Sequence, residues 1–341
     1  MQENHSDIKK TELEAKSPPV LFDSTQEIIR QIEEISGKRL LSYWTSHSGG
    51  VCQNDVIALY EILDNMDAEG ELVLFIKSQG GDVEAALRIV HLIRERFSFV
   101  TALIVLECAS AATMIALGAD KIQMGPMAYL TAIDSSLRHA LSPIDNTNSR
   151  VSVSQDELSR IVKLWENTSN EHHANPYSEL FKYVHPMVVG ALDRSSSLSV
   201  KICKEILSYH LSDDDLANRI SQALNSNYPS HGYPITSKEA KSLGLEVDKM
   251  DERLNELLLR LNEHYSEMAQ QAVTDYDEFN HHDNEILNII EGRDIQIYYQ
   301  NDKDWHYIQE ERRWRTLNDD SSWRKIVRSN GEKKFSKLHM R

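Results

Sequence analysis

Cysteine is scarce in this 341-residue chain: Cys52, Cys108 and Cys203 are the whole set, and none lies in a CxxC pair or at zinc-ligand spacing. An odd, scattered set argues against a disulfide framework and suits a reducing compartment, so all three read as small buried hydrophobes. Positive charge is also short, with 37 Lys and Arg against 53 Asp and Glu and a formal net charge of −16. Sequence-independent binding to a phosphate backbone needs the opposite sign, so nucleic acid is not expected as a partner of the main domain. The chain carries no Gly-x4-Gly-Lys-Ser/Thr and no Gly-x-Gly-x-x-Gly, so it offers neither an ATP-phosphate cradle nor a dinucleotide fingerprint. His172-His173 and His281-His282 lack carboxylate or cysteine partners at ligand spacing, and neither a metal nor another cofactor is expected. Met1 to Asp7 show no basic region followed by an apolar run, which is read as no signal peptide and a cytoplasmic location.

Apolar residues make up 40% of the chain, enough to bury a substantial core. Phe97 to Leu117 has a single charge, Glu107, over about the length that spans a bilayer. The small residues Ala109 to Ala112 interrupt it, and it reads as a buried strand feeding a buried helix, with no membrane partner. Residues 1–19 are polar, end in Ser17-Pro18-Pro19 and read as a flexible leader, with order beginning near Val20. Arg39 to Trp44, Leu72 to Ile76 and Val100 to Leu106 read as strands; Val56 to Met66, Val83 to Phe97 and Ser110 to Leu117 read as helices. Strand and helix alternate, which gives right-handed parallel units with ligands at the carboxyl ends of the strands.

Ser135 to Arg150 is rich in Ser, Asn, Asp and His and reads as an exposed loop. Helices follow at Gln155 to Glu166, Tyr177 to Tyr183, Ser195 to Tyr209, Asp213 to Ala223 and Ser237 to Leu243, the last stopped by Gly244. Asp294 to Tyr299 and Trp305 to Ile308 bracket Asn301-Asp302-Lys303-Asp304 as a hairpin. From Glu311 to Arg341 there are 10 Lys and Arg against 4 Asp and Glu, a basic tail on an acidic chain. Such a tail docks on the acidic body or recruits a protein partner.

Two local features carry chemistry. A strand ends in Ser78-Gln79-Gly80-Gly81-Asp82, and 29 residues beyond Gly81 an apolar run breaks at Ser110. Glycine leaves its backbone N–H unobstructed, and a serine on a tight strand-to-helix turn exposes its hydroxyl beside the N–H of its neighbour. Ser110 is thus a candidate nucleophile, and Gly81 and Ala111 are candidate oxyanion donors.

These words resemble the Clp protease/crotonase superfamily, and more closely the serine dehydrogenase proteinase family, relatives of signal peptide peptidase A. Ser110-Ala111-Ala112-Thr113-Met114-Ile115-Ala116, Ile122-Gln123-Met124-Gly125, Ile133-Asp134, His185-Pro186, Ser230-His231-Gly232 and Glu239-Ala240-Lys241-Ser242-Leu243-Gly244-Leu245 extend the likeness in order along residues 20–262. The resemblance implies an α/β, Clp protease/crotonase-like spiral of mostly parallel strands with outer helices, followed by a helical appendage. Residues 263–341 form a divergent C-terminal extension outside it.

The resemblance implies an ATP-independent serine peptidase acting on extended or unfolded polypeptide and assembled as a homo-oligomer. Clp proteases carry a histidine where this chain has Asp134, and an acid where it has His231. Triads are recognised by geometry and not by chain order, so Ser110 as nucleophile, His231 as base and Asp134 as orienting acid form one scheme. A Ser/Lys dyad through Lys163 is the rival. The family word Gly-Pro-Ile-Asp is altered here, with Thr131 and Ala132 in place of Gly and Pro. Two other classes stay open, a non-catalytic or partner-recruiting scaffold and a crotonase-like acyl-CoA enzyme.

Overall fold

The computed structural model describes residues 14–66, 70–133, 136–146, 149–168 and 175–340. Helix α1 (Phe22–Ser36) leads to β1 (Arg39–Thr45), α2 (Gln53–Asn65), β2 (Gly70–Lys77), α3 (Val83–Arg96) and β3 (Phe97–Ile104). Then come β4 (Glu107–Cys108), α4 (Ala111–Leu117), β5 (Lys121–Met124), β6 (Tyr129–Leu130), β7 (Ser136–Leu137) and β8 (Val153–Ser154). The helical segment is α5 (Gln155–Thr168), α6 (Pro176–Leu180), α7 (Pro186–Leu207), α8 (Asp214–Ser226) and α9 (Ser237–Leu243). The chain finishes with β9 (Val247–Lys249), α10 (Glu252–Met268), β10 (Ala272–Asp275), β11 (Asn280–Gly292), β12 (Ile295–Ile308), β13 (Arg313–Asp319), β14 (Ser322–Ser329) and β15 (Glu332–Leu338).

Strands β1, β2, β3, β5 and β9 lie side by side and parallel, so the α/β fold with a largely parallel central sheet is what forms. Leu72 to Ile76 are buried on both faces, as their unbroken apolar run requires. On one face α2, α3, α4, α7 and α8 close a core around Leu74, Ile89 and Ile115; on the other α1 and α10 pack Ile29, Ile32, Leu257 and Leu261 against Leu40 and Phe75. The Phe97 to Leu117 stretch is indeed strand followed by helix, and among the described residues no helix is long and apolar enough to cross a membrane.

Several expectations are corrected. Helix α1 has no counterpart in the sequence reading, although Ile28, Ile29 and Ile32 line one face and Gly37 ends it at φ 66 with its N–H on the Glu33 carbonyl. The chain is tied down before Val20, because Pro18 is buried and the Lys16 N–H donates to Thr274 Oγ1 at 2.9 Å; residues 1–13 of the leader lie outside the described residues. Helix α7 starts upstream of Ser195, at Pro186, with His185 as its cap accepting from the Met187 N–H at 3.1 Å.

The C-terminal segment departs furthest from the sequence reading. No hairpin turns at Asn301 to Asp304; residues 295–308 are one strand, and the chain reverses instead between Gly292 and Ile295, where Asp294 takes φ 63. The polar run stays extended because its side chains are partnered across strands: Asp302 pairs with Arg324 at 3.0 Å and Lys303 with Asp319 at 3.4 Å, and Asp304 meets the His282 ring at 2.9 Å. Strand β11 then pairs antiparallel with β1, so β10–β15 extend the central sheet to eleven strands. The basic residues of β14 and β15 meet acidic side chains of the body, Lys325 with Glu61 at 2.8 Å and Arg328 and Lys333 with Asp23 at 2.5 and 2.7 Å. Lys333 first, then Arg328, hold the Asp23 carboxyl below its usual range. These are screened surface pairs that orient more than they stabilise.

Candidate active site

The Gly-Gly turn after β2 is shaped by contacts that exclude side chains. Gly80 has φ +98, and a Cβ on it would lie 2.6 Å from the Ala109 oxygen and 2.7 Å from Ser110 Cβ. Only glycine fits between the two turns. The Val51 N–H donates to the Gly80 carbonyl at 2.8 Å, and the Asp82 N–H donates to the Val51 carbonyl at 2.8 Å. A trans peptide points its C=O and N–H in opposite directions. Anchoring the Gly80 oxygen on Val51 therefore turns the Gly81 N–H away from Val51, and Gly81 lines the cavity that holds Ser110.

Ser110 sits between β4 and α4 with φ 52 and ψ −118, a conformation that non-glycine residues rarely adopt. Its carbonyl accepts from the Met114 N–H at 3.2 Å, which by the same peptide geometry sends the Ala111 N–H out of the helix end. The N–H groups of Gly81 and Ala111 have no hydrogen-bond partner among the described residues. They are unclaimed donors on either side of the serine turn. Cys108, directly beneath, is fully buried, and burial pushes its thiol far above the usual range, so it competes neither as nucleophile nor as ligand.

Ser110 and Gly81 share a cavity of about 470 Å3 with His231, which comes from the loop between α8 and α9. Gln79, Ile133, Ser136 and Leu198 complete much of the wall. A second hollow of about 370 Å3 also has Ser136 and His231 in its lining, with Ser152, Ser154 and Glu157. The described lining of both includes Asp82, Glu84 and Glu157 but no Lys or Arg. Asp134 lies outside the described residues. Lys163 is exposed on α5 and lines neither hollow. Ala111, at the first helical position, is buried.

Two supports were invisible from sequence. The first comes from the C-terminal strands: a bulge between Ile286 and Asn288 lets the Leu287 carbonyl accept the Ser46 N–H at 2.7 Å. It also lets the Asn288 amide donate to the Gly50 carbonyl at 2.9 Å and to Asp55 at 2.8 Å. Asp55 in turn accepts from Tyr43 Oη at 2.6 Å and from the Cys52 N–H at 2.7 Å, while burial pushes its carboxyl up to about 6. Residues 50–52, which anchor Gly80 and Asp82, are thus held by a strand some 240 positions away in sequence (|i−j| = 238 for Asn288 to Gly50). The second support is Thr131, whose hydroxyl accepts the Ser110 N–H at 2.9 Å.

Among the described residues no group of three or more His, Cys, Asp or Glu is placed to hold a metal; His172-His173 lies outside them, and His282 is engaged by Asp304 and Asp302.

A largely parallel α/β sheet thus brings a serine with positive φ against a glycine-lined turn. Residues 27–213, more than half of the chain, match the Clp protease family, and the chain belongs to that family. The uncharacterized protein MJ0137 of Methanocaldococcus jannaschii is 26% identical over 201 residues, which are 59% of this chain and 60% of that protein. The chain thus spans less than two thirds of the length of this curated relative. Among solved structures, a mutant of the 1510-N membrane-bound stomatin-specific protease in complex with a substrate peptide is 17% identical, with 63% of this chain and 78% of that chain covered and a TM-score of 0.38. A second 1510-N mutant is 16% identical, with 69% and 87% covered and the same TM-score of 0.38.

Proposed function

We propose that this chain is an ATP-independent serine peptidase that hydrolyses peptide bonds of extended or unfolded polypeptide, and that within its family it stands with the serine dehydrogenase proteinases. Ser110 is the nucleophile, His231 the general base and Asp134 the acid that orients the imidazole. His231 takes the Ser110 hydroxyl proton as the oxygen bonds to the substrate carbonyl carbon; the N–H groups of Gly81 and Ala111 receive the charge on the former carbonyl oxygen. The intermediate collapses with the proton returned to the departing amine, and water repeats the sequence on the acyl-enzyme. No cofactor or metal enters these steps. The working form is a homo-oligomer in the cytoplasm, and any further partner is a protein met through the C-terminal strands.

The observation that carries this reading is the meeting of a strained Ser110, Gly81 and His231 in one cavity, with the Gly80–Gly81 peptide turned by its anchor on Val51. The test is labelling by a fluorophosphonate probe together with casein hydrolysis, in the wild type and in Ser110→Ala. Labelling of Ser110 and loss of both signals in a folded Ser110→Ala protein support the reading. Absence of labelling in the wild type favours the scaffold class, and acyl-CoA turnover that survives Ser110→Ala favours the crotonase-like one.

A further inference from the structure

Where the resembling family carries glycine, this chain has Thr131, and the structure gives that hydroxyl an occupation no glycine has. Thr131 is buried, with 2% of its surface exposed. Its Oγ1 donates to the Ala132 carbonyl at 3.1 Å, which leaves the oxygen lone pairs facing the Ser110 N–H that it accepts at 2.9 Å. Thr131 is itself clasped: its N–H donates to Thr113 Oγ1 at 3.2 Å, and Thr113 Oγ1 donates to the Cys108 carbonyl at 2.7 Å. The two threonines join the segment that follows β6 to both sides of the serine turn.

The need for such a clasp follows from the backbone of Ser110. Its φ of 52 with ψ −118 is a sparsely populated conformation, which persists only where the surroundings over-determine it. The turn is pinned before Ser110 by the Ala109 N–H on the Ser78 carbonyl at 2.9 Å and after it by the Met114 N–H on the Ser110 carbonyl at 3.2 Å. Between these pins, the Ser110 N–H rests on Thr131 alone among the described residues. The Ala109 carbonyl of the same peptide accepts from the Ala112 N–H at 2.9 Å, so without the Thr131 acceptor that peptide is held from one end only, and a rotation towards an ordinary conformation swings the hydroxyl and the Ala111 N–H together.

We propose that Thr131 is a positioning residue for Ser110: its hydroxyl, through the Ser110 N–H, holds the strained turn that presents the nucleophile. The inference rests on the reading of Ser110 as nucleophile. It makes the departure from the family's glycine a part of this chain's own site.

Thr131→Val keeps the volume and removes the acceptor, whereas Thr131→Ser keeps the hydroxyl and removes the methyl. The variants are compared with wild type by kcat and KM on a fluorogenic peptide, by the rate of fluorophosphonate labelling, and by amide hydrogen exchange over residues 109–114. Expected for Thr131→Val is a fall of about ten- to a hundredfold in kcat and labelling rate, the range for a displaced reacting group, with KM within about twofold and faster exchange at Ser110. Thr131→Ser restores rate and protection to within about threefold of wild type. Wild-type rates in Thr131→Val overturn the proposal, as does an equal loss in both variants, which would make the methyl's packing the cause. Should Thr131→Val not fold, Thr131→Ala removes the same hydroxyl and carries the same expectations. If the wild type neither hydrolyses nor labels, the peptidase reading fails, while exchange at Ser110 still decides whether Thr131 holds the turn.

Discussion

Glu291 gives the sharpest quantitative expectation. It sits at the end of β11, fully buried where the C-terminal strands meet α1 and α10. Thr25 Oγ1 and Gln26 Nε2 donate to one carboxylate oxygen at 2.7 and 2.8 Å, and Tyr265 Oη and Gln296 Nε2 donate to the other at 2.8 and 2.7 Å. Burial is the larger effect and pushes the carboxyl up to about 7 in spite of these four donors. Its pKa in the folded state therefore exceeds the unfolded value, so between the two the native state keeps a proton that the unfolded state has lost. The associated stability is fully present below about pH 4.5 and is lost as pH rises through about 7. The shift from 4.5 to about 7 corresponds to about 3 kcal/mol, an order-of-magnitude figure.

Glu291→Gln removes the titration and keeps the shape. The new amide is accommodated because Gln296 Oε1 is buried with no partner among the described residues, so a half-turn of the Gln296 amide supplies an acceptor. Urea unfolding followed by circular dichroism, at steps from pH 4.5 to 8, should show the variant gaining about 3 kcal/mol on the wild type across that window. Asp55, raised in the same direction, is common to both proteins and cancels in the difference. Parallel stability profiles for the two proteins would refute the reasoning.

Further substitutions probe the site, with controls outside it. Gly80→Ala drives a Cβ to 2.6 Å from the Ala109 oxygen at φ +98 and should lower casein hydrolysis by about a hundredfold, whereas Gly190→Ala, with nothing within 4 Å of the added carbon, should leave it unchanged and stabilise α7 by about 1 kcal/mol. His231→Ala should lose nearly as much activity as Ser110→Ala, since members of a triad act as a unit, and Lys163→Ala should be silent; the reverse pattern in initial rates would move the base to Lys163.

Much of this protein is legible locally. The apolar run at Leu72 to Ile76 reads as a strand buried on both faces, and the helical spacing of Ala86, Ile89, Val90 and Ile93 makes the crossover. The Gly-Gly turn and Ser110 stand out because the backbone conformations they need depend on a few neighbouring residues. Pairing across long separations left no comparable mark. Asn301 to Asp304 look like a turn because their polarity is the usual signal for one, and only cross-strand partners such as Arg324 and His282 keep them extended. Nothing around Asn288 announces that it braces Gly50, and the altered family word at Thr131 gives no sign that its hydroxyl accepts the Ser110 N–H. Local propensity and periodicity are written in adjacent residues, so the sequence by itself determined the alternation of strand and helix and the two halves of the candidate acyl-transfer turn. Which buried donor meets which acceptor depends on elements brought together by packing, so the tertiary structure alone decided that the C-terminal strands join the central sheet and that the serine turn is held from Thr131.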